Sequence, residues 1–417
     1  MPHSPLLLQL VIILVTARLC GLLLRYAGQP TVVGEMAAGI VLGPIVFGAL
    51  FPDFHAQLFA PESLAGLSSL SMLGLVLFMF IVGAELRAPD GVRAQLKAAG
   101  AVGLLGVLVP MLLGIAISPL LHPTLAPAGV DFWPFALFMA AAMSITAFPV
   151  MARILKDRGM TQTRLGQLAL SSAAIADVFA WIMLALVVAL VGAGEGYAGF
   201  LKATLGLIML VALVFGLLRP LYASLLRRHA PDGKPGAMVL AALLIGMLVC
   251  AALTEWLGLH AVFGAFLFGA CLPRDNRLLQ FLLERVESLA ILLLMPIFFA
   301  LAGLNTTADA FAGAGLGALL LILAVAISGK IAGGALGARL AGFTWRESFA
   351  TGSLMNARGL MELIVMKVGL DAGLIGPELF TMLLVMALLT TVMTGPLLNL
   401  FAGRKKEAPV AGASVQD

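Results

Sequence analysis

Charge is what this chain has least of. Only 11% of its 417 residues are Asp, Glu, Lys or Arg, whereas 61% are hydrophobic. Soluble globular chains carry roughly 25% charged and about 45–50% apolar residues, and a mean hydropathy of +1.09 lies far from that balance. The length alone would suggest two or three soluble domains, but there is too little polar side chain to coat them. The same scarcity excludes a disordered chain and a nucleic-acid-binding protein. Cysteine is also sparse: Cys20, Cys250 and Cys271 sit in apolar runs with neither disulfide nor metal-ligand spacing, and read as small buried hydrophobes. Among 46 glycines there is no Walker motif and no G-x-G-x-x-G in a strand–helix context. ATP and NAD binding therefore have no support, and no cofactor is expected. No basic segment precedes the apolar stretch from Leu6 to Leu24, which is too long for a signal-peptide core and reads as a retained first span.

What is there is a series of long apolar runs. A helix needs about 20 mostly apolar residues to cross a bilayer core of roughly 30 Å. Polar, Pro-rich and Gly-rich breaks divide the chain into thirteen candidate spans, at 5–26, 31–50, 64–85, 97–119, 133–154, 163–193, 199–219, 236–256, 258–273, 287–304, 313–338, 346–369 and 376–402. The fold class is thus an all-α polytopic membrane protein, residues 1–403, followed by a short tail, 404–417.

The basic residues orient it. Alternate loops hold Arg25; Arg87, Arg93 and Lys97; Arg153, Lys156, Arg158 and Arg164; Arg219, Arg227, Arg228 and Lys234; Arg274, Arg277 and Arg285; Arg339 and Arg346; and Arg404, Lys405 and Lys406, twenty in all, while the opposite loops hold only Lys202 and Lys367. The rich set belongs to the cytoplasm, so the N-terminus is expected outside and the C-terminus inside.

A few charges fall at membrane depth, where they are costly and rarely without a partner or a task. Arg18 lies two turns before Arg25 and reads as snorkelling towards the cytoplasm. Lys330, Arg358 and Asp177 lie deeper, and Glu362 follows Arg358 by one turn. A lone buried carboxylate such as Asp177 has three readings: a structural salt bridge, a proton-relay group, or a cation ligand that also takes protons. Two spans are interrupted near these charges. Ser144-Ile145-Thr146-Ala147-Phe148-Pro149-Val150 breaks the fifth with hydroxyls and a proline. Gly352-Ser353-Leu354-Met355-Asn356-Ala357-Arg358-Gly359 breaks the twelfth. Unwound backbone at membrane depth is tolerated only where it lines a cavity or is buried in protein. Such segments in matching positions of two halves point to a transporter site with inverted repeats.

At this point the chain resembles the monovalent cation:proton antiporter-2 family of the cation/proton antiporter superfamily. The first break, continued as Met151-Ala152-Arg153-Ile154-Leu155, is similar to the broken helix of the plant-type exchangers. Ala173-Ala174-Ile175-Ala176-Asp177-Val178 resembles the family's ion-binding helix. His260-Ala261-Val262-Phe263-Gly264-Ala265-Phe266, followed by Pro273, resembles its HAxxGAF segment, and Asn356-Ala357-Arg358-Gly359-Leu360-Met361-Glu362-Leu363-Ile364 its second broken helix. The likeness covers about residues 30–400.

The resemblance implies thirteen spans with two unwound crossing helices. Spans 1–3 and 7–10 would form a dimerisation scaffold, and spans 4–6 and 11–13 a mobile core of inverted-topology repeats working by elevator-like alternating access in a homodimer. It implies a bacterial plasma (inner) membrane location, Asp177 as the shared site for a monovalent cation (Na⁺ or K⁺) and protons, and Lys330 as the lysine facing it. Ala176 departs from the family, which usually has Asn, Gln or Asp there. A single carboxylate favours electroneutral exchange. Thr146, Ser144 and the carbonyls around Ala147 are the expected further cation ligands. Arg358, Glu362 and Asn356 are expected to be structural or gating residues, and Ser172 either a ligand or a packing hydroxyl. The expected partners are the cation, protons, membrane lipid and a second copy of the chain, with no nucleic acid, no nucleotide-binding domain and no enzyme activity. An uncoupled channel or an organic-ion exporter on the same scaffold remains the alternative.

Overall fold

The computed structural model describes residues 5–85, 92–160, 163–191, 205–206, 208–257, 261–273, 275–313 and 315–402. Arg87, Lys202, His260, Arg274 and the tail from 404 fall outside them. Among the described residues the regular structure is entirely helical. In chain order the α-helices are α1 (Leu6–Tyr26), α2 (Thr31–Leu42), α3 (Pro52–Leu58), α4 (Leu64–Glu85), α5 (Val92–Leu125), α6 (Phe132–Ser144), α7 (Phe148–Asp157), α8 (Arg164–Val191), α9 (Arg219–His229), α10 (Ala237–Trp256), α11 (Ala261–Cys271), α12 (Asn276–Leu282), α13 (Met295–Leu304), α14 (Gly315–Leu340), α15 (Trp345–Met355), α16 (Leu360–Asp371) and α17 (Pro377–Ala402).

Nine described helical stretches are long and apolar enough to cross a membrane. The sequence reading gives more spans because interruptions divide some of them. The expected fifth span is α6 plus α7, the expected twelfth is α15 plus α16, the short apolar α11 stands for the ninth, and the expected sixth is α8, which is not among the nine. The chain is an integral, multi-pass membrane protein.

Helices in lipid gain little from apolar burial against one another, so close backbone approach at small residues does much of the packing. One face of α14 carries Gly329, Gly333 and Gly337 at four-residue spacing, and all three lie against α5. A Cβ there would run into Pro110, Leu105 and Val102 respectively. This stripe presses α14 onto α5 and brings Lys330, beside Gly329, to the α5 backbone. The helices α5 and α14 then organise their neighbours in the same way: α5 packs on α6 and α8, and α14 packs on α15 and α17. A separate apolar cluster draws on α1, α4, α10, α11 and residues 278–300. A third, around Phe138, Phe298, Phe299 and Phe380, joins that part to α6, α14, α16 and α17.

Candidate functional site

The two interruptions lie against each other. α6 stops at Ser144, Ile145 turns extended (φ −67°, ψ 140°), and α7 begins at Phe148. Pro149 is therefore the second residue of α7, where its missing N–H costs nothing. On the other side α15 stops at Met355 and α16 begins at Leu360. The backbone N–H of Ala147 donates to the carbonyl of Ala357 at 3.0 Å, tying one break to the other. Gly359 permits this approach, since a Cβ there would lie 2.7 Å from Cγ2 of Val150. We expect Gly359→Ala to push the half-helices apart and to lower the thermal unfolding midpoint and any transport together. An unchanged midpoint would show that the contact tolerates a methyl group.

Four half-helix ends meet here, and the charges are sorted among them. A helix C-terminus leaves carbonyls without partners and carries about half a negative charge. The last three carbonyls of α6 are met by cations. Arg358 donates from Nη1 to Ala142 O at 2.7 Å and from Nη2 to Met143 O at 2.9 Å, and Lys330 Nζ donates to Ser144 O. Lys330 also donates to Gly106 O at 3.0 Å and to Thr146 Oγ1 at 2.7 Å. Its ammonium thus finds three oxygens for its three N–H groups. At the opposite kind of end, the backbone N–H of Phe148, first residue of α7, is directed at the Asp177 carboxylate. Helix N-termini favour negative charge for the converse reason.

Asp177 is 3% exposed and Lys330 is fully buried. They lie within electrostatic range of each other. Among the described residues, however, the ion pairs within 4.0 Å are Arg18–Glu35, Arg358–Glu362 and Lys367–Asp371. Lys330 binds the oxygens of the first break instead of touching the carboxylate, and Asp177 Oδ1 has no hydrogen-bond partner. Arg358 and Glu362 pair at 2.9 Å, both wholly buried, one turn apart on the second break. Arg18 is held by Leu292 O at 2.8 Å, with Glu35 3.7 Å away, so it bridges α1, α2 and the turn before α13 as well as lying near the surface.

The remaining expected residues are placed as follows. Thr146 contributes its hydroxyl to Lys330. Ser144 contributes its carbonyl, while its hydroxyl donates back to Ala141 O at 2.9 Å. The Ala147 carbonyl accepts from Met151 as the first link of α7 and is not free. Ser172 donates to Leu168 O at 2.7 Å within its own helix. Asn356 donates from Nδ2 to Thr390 O at 3.2 Å, leaving Oδ1 unpartnered.

Some contributors were not singled out from the sequence: Gly106, whose carbonyl holds Lys330, and Thr391, whose hydroxyl accepts from Arg358 N at 2.9 Å. The buried hydroxyls at Thr390, Thr391 and Thr394 in an apolar span were a signal for the second. Nothing in the sequence marks the first, because the donor is main chain.

A membrane protein in which two interrupted helices meet around a buried Asp and Lys belongs to the class of secondary transporters. The chain matches the family model for "Sodium/hydrogen exchanger, transmembrane" over residues 12–402. It is 39% identical to the Na(+)/H(+) antiporter NhaS4 of Synechocystis sp. over 94% of this chain and 95% of that one. It is 34% identical to K(+)/H(+) antiporter 1 of Saccharomyces cerevisiae over 96% of this chain, spanning 46% of that longer protein. The fold is similar to the sodium proton antiporter MjNhaP1 from Methanocaldococcus jannaschii (TM-score 0.64, 15% identity, 96% of this chain and 98% of that one). The chain belongs to the sodium/hydrogen exchanger family.

Proposed function

We propose that this protein exchanges a monovalent cation, Na⁺ or K⁺, for protons by alternating access of a single buried site. The observation that carries the reading is Asp177: a carboxylate nearly sealed from solvent, with one oxygen unpartnered, at the meeting of two helix breaks. A dry carboxylate of this kind takes either a proton or a cation, and that competition is the least an antiporter requires. Family membership and the names of the sodium and potassium relatives support the same chemistry.

In the proposed cycle Asp177 binds the cation as a carboxylate, with oxygens from Thr146 and Ser144 completing its shell. The Lys330 ammonium occupies those oxygens in the arrangement seen here. It therefore stands where the cation would, and leaves them when the cation enters. Ala176, buried beside Asp177, supplies neither ligand nor second proton, so one cation exchanges for one proton without net charge. The core, residues of α5–α8 and α14–α17, moves against the rest of the protein, which carries the homodimer contact. Thirteen spans with the N-terminus outside, the C-terminus inside and a bacterial inner-membrane location complete the proposal. The matching neighbours of α5 and α14 support an inverted relation between the two halves of the core.

The test is dequenching of a pH dye in proteoliposomes on addition of Na⁺, K⁺, Li⁺ or Rb⁺. Proton movement driven by Na⁺ or K⁺, insensitive to membrane potential, is expected. Current without proton exchange would establish a channel instead, and no response to any alkali ion would end the proposal. Lys330→Gln should shift the pH profile of exchange or lower stability, since a neutral amide has two donors for three acceptors and no charge to compensate Asp177. If neither changes, Lys330 is not the charge partner.

A further inference from the structure

The cytoplasmic ends of the core helices carry a second cluster of charge, unrelated to the buried site. Arg164 at the start of α8 lies over the Phe343 ring, its Cζ 4.5 Å from the centroid. Arg339 in the last turn of α14 donates to Phe343 O at 3.0 Å and lies 5.4 Å over Trp345. Trp345 leans on Phe349 with centroids 5.9 Å apart, and Phe349 stacks on Phe401 at 5.4 Å. Arg346 donates from Nε to Phe401 O at 2.7 Å, and Arg158 donates to Asn399 Oδ1, two residues before Phe401. Three guanidiniums, from α8, α14 and α15, are thereby strung along one aromatic seam, and a fourth, Arg158 just past the end of α7, reaches its edge through Asn399. Among the described side chains, the carboxylate near Arg164 is Glu347, but its Oε2 accepts from Thr344 N and Oγ1 at 3.0 and 2.8 Å in the cap of α15. Among the described residues no ion pair within 4.0 Å involves any of the four arginines.

We propose that this seam binds the phosphate headgroup of an anionic phospholipid of the cytoplasmic leaflet. Arg164, Arg339 and Arg346 are exposed, each committing one face or one N–H to the protein and keeping other donors for a phosphate, which guanidinium recognises bidentately. Trp345, half exposed (51%) in the middle of the cluster, has the amphipathic character of a membrane-interface anchor. Basic clusters at this depth attract anionic lipid at about 1 kcal/mol per charge, roughly fivefold in affinity. The elements joined are those that carry the buried site: α8 bears Asp177, α14 bears Lys330, α15 stops at the second break, and α7 starts from the first. A lipid bridging them holds the cytoplasmic ends of the core together. The inference rests on the membrane-spanning fold and on the orientation proposed above, not on ion exchange.

The experiment follows the unfolding midpoint of the purified full chain in detergent, titrated with phosphatidylglycerol, phosphatidylcholine, inorganic phosphate or glycerol phosphate. Phosphatidylglycerol should raise the midpoint saturably and phosphatidylcholine should not. In Arg164→Gln/Arg339→Gln/Arg346→Gln the half-saturating concentration should rise by about two orders of magnitude. Arg346→Gln alone, in case the triple variant folds poorly, should show about a fivefold rise. The control Arg227→Gln/Arg228→Gln on α9 removes basic charge away from the seam and should leave the titration unchanged. An equal rise with phosphatidylcholine, an unaltered titration in both seam variants, an equal loss in the α9 control, or saturation by inorganic phosphate as low as by lipid would each overturn the proposal. Because the readout is binding, its failure is distinct from a failure of cation-driven proton movement.

Discussion

Asp177→Asn is expected to abolish cation-driven proton movement in everted vesicles and in proteoliposomes while leaving the unfolding midpoint close to that of the parent. The amide matches the carboxylate in size and can keep the contact with the N-terminus of α7, so the fold has little to lose. The chemistry loses both of its states. A neutral amide has no proton to release, and it offers a desolvated monovalent cation no balancing charge, without which an ion at membrane depth costs several kcal/mol. Partial activity is not expected, because Ala176 provides no second acid and the other buried carboxyl at the breaks, Glu362, is committed to Arg358. Exchange at the parent rate in this variant would remove Asp177 from the ion site.

The largest loss of stability is expected for Arg358→Met. Arg358 is fully buried, pairs with a fully buried Glu362, and binds two terminal carbonyls of α6. Removing one member of such a pair strands the other, which typically costs 3–5 kcal/mol. Uncapping Ala142 O and Met143 O adds to this, since a buried polar group without a partner costs about 1–3 kcal/mol. The double variant Arg358→Met/Glu362→Leu should recover part of the loss, because no carboxylate is then stranded, but not all of it, because the α6 carbonyls stay uncapped. Chemical unfolding in detergent measures both. A single-variant loss below about 1 kcal/mol, the ordinary cost of a point mutation, would show that Arg358 does not tie the breaks together.

How much of this could be read without coordinates differs from residue to residue. Asp177, Lys330 and Arg358 were legible because a charge in an apolar run is an exception that needs a reason. The interruptions at 145–147 and 356–359 were legible because hydroxyls, Pro149 and Gly359 cluster there against the helical pattern. The partner of Lys330 was not. The family resemblance implies Asp177 as the group that Lys330 faces, whereas the ammonium makes its hydrogen bonds to Ser144 O, Gly106 O and Thr146 Oγ1. Two of those acceptors are main-chain atoms, which every residue carries and no composition marks. Likewise the hydroxyls of Ser144 and Ser172 could be placed near the site from spacing alone, but only coordinates show them turned back onto their own helices.

By itself, the sequence determined that the protein lives in a membrane, which of its loops are basic, and which few charges lie at depth, because each of these follows from the transfer cost of a side chain and needs no neighbour. Tertiary structure decided which group meets which. The Gly329, Gly333 and Gly337 stripe sets how closely α14 approaches α5, and that distance decides where the Lys330 ammonium ends. The crossing of the two breaks decides that three carbonyls of α6 face two cations while the first N–H of α7 faces a carboxylate. The pairings with the α6 carbonyls join residues about 186 to 216 positions apart, and only the folded backbone, with its helix ends left unpaired by the interruptions, specifies them.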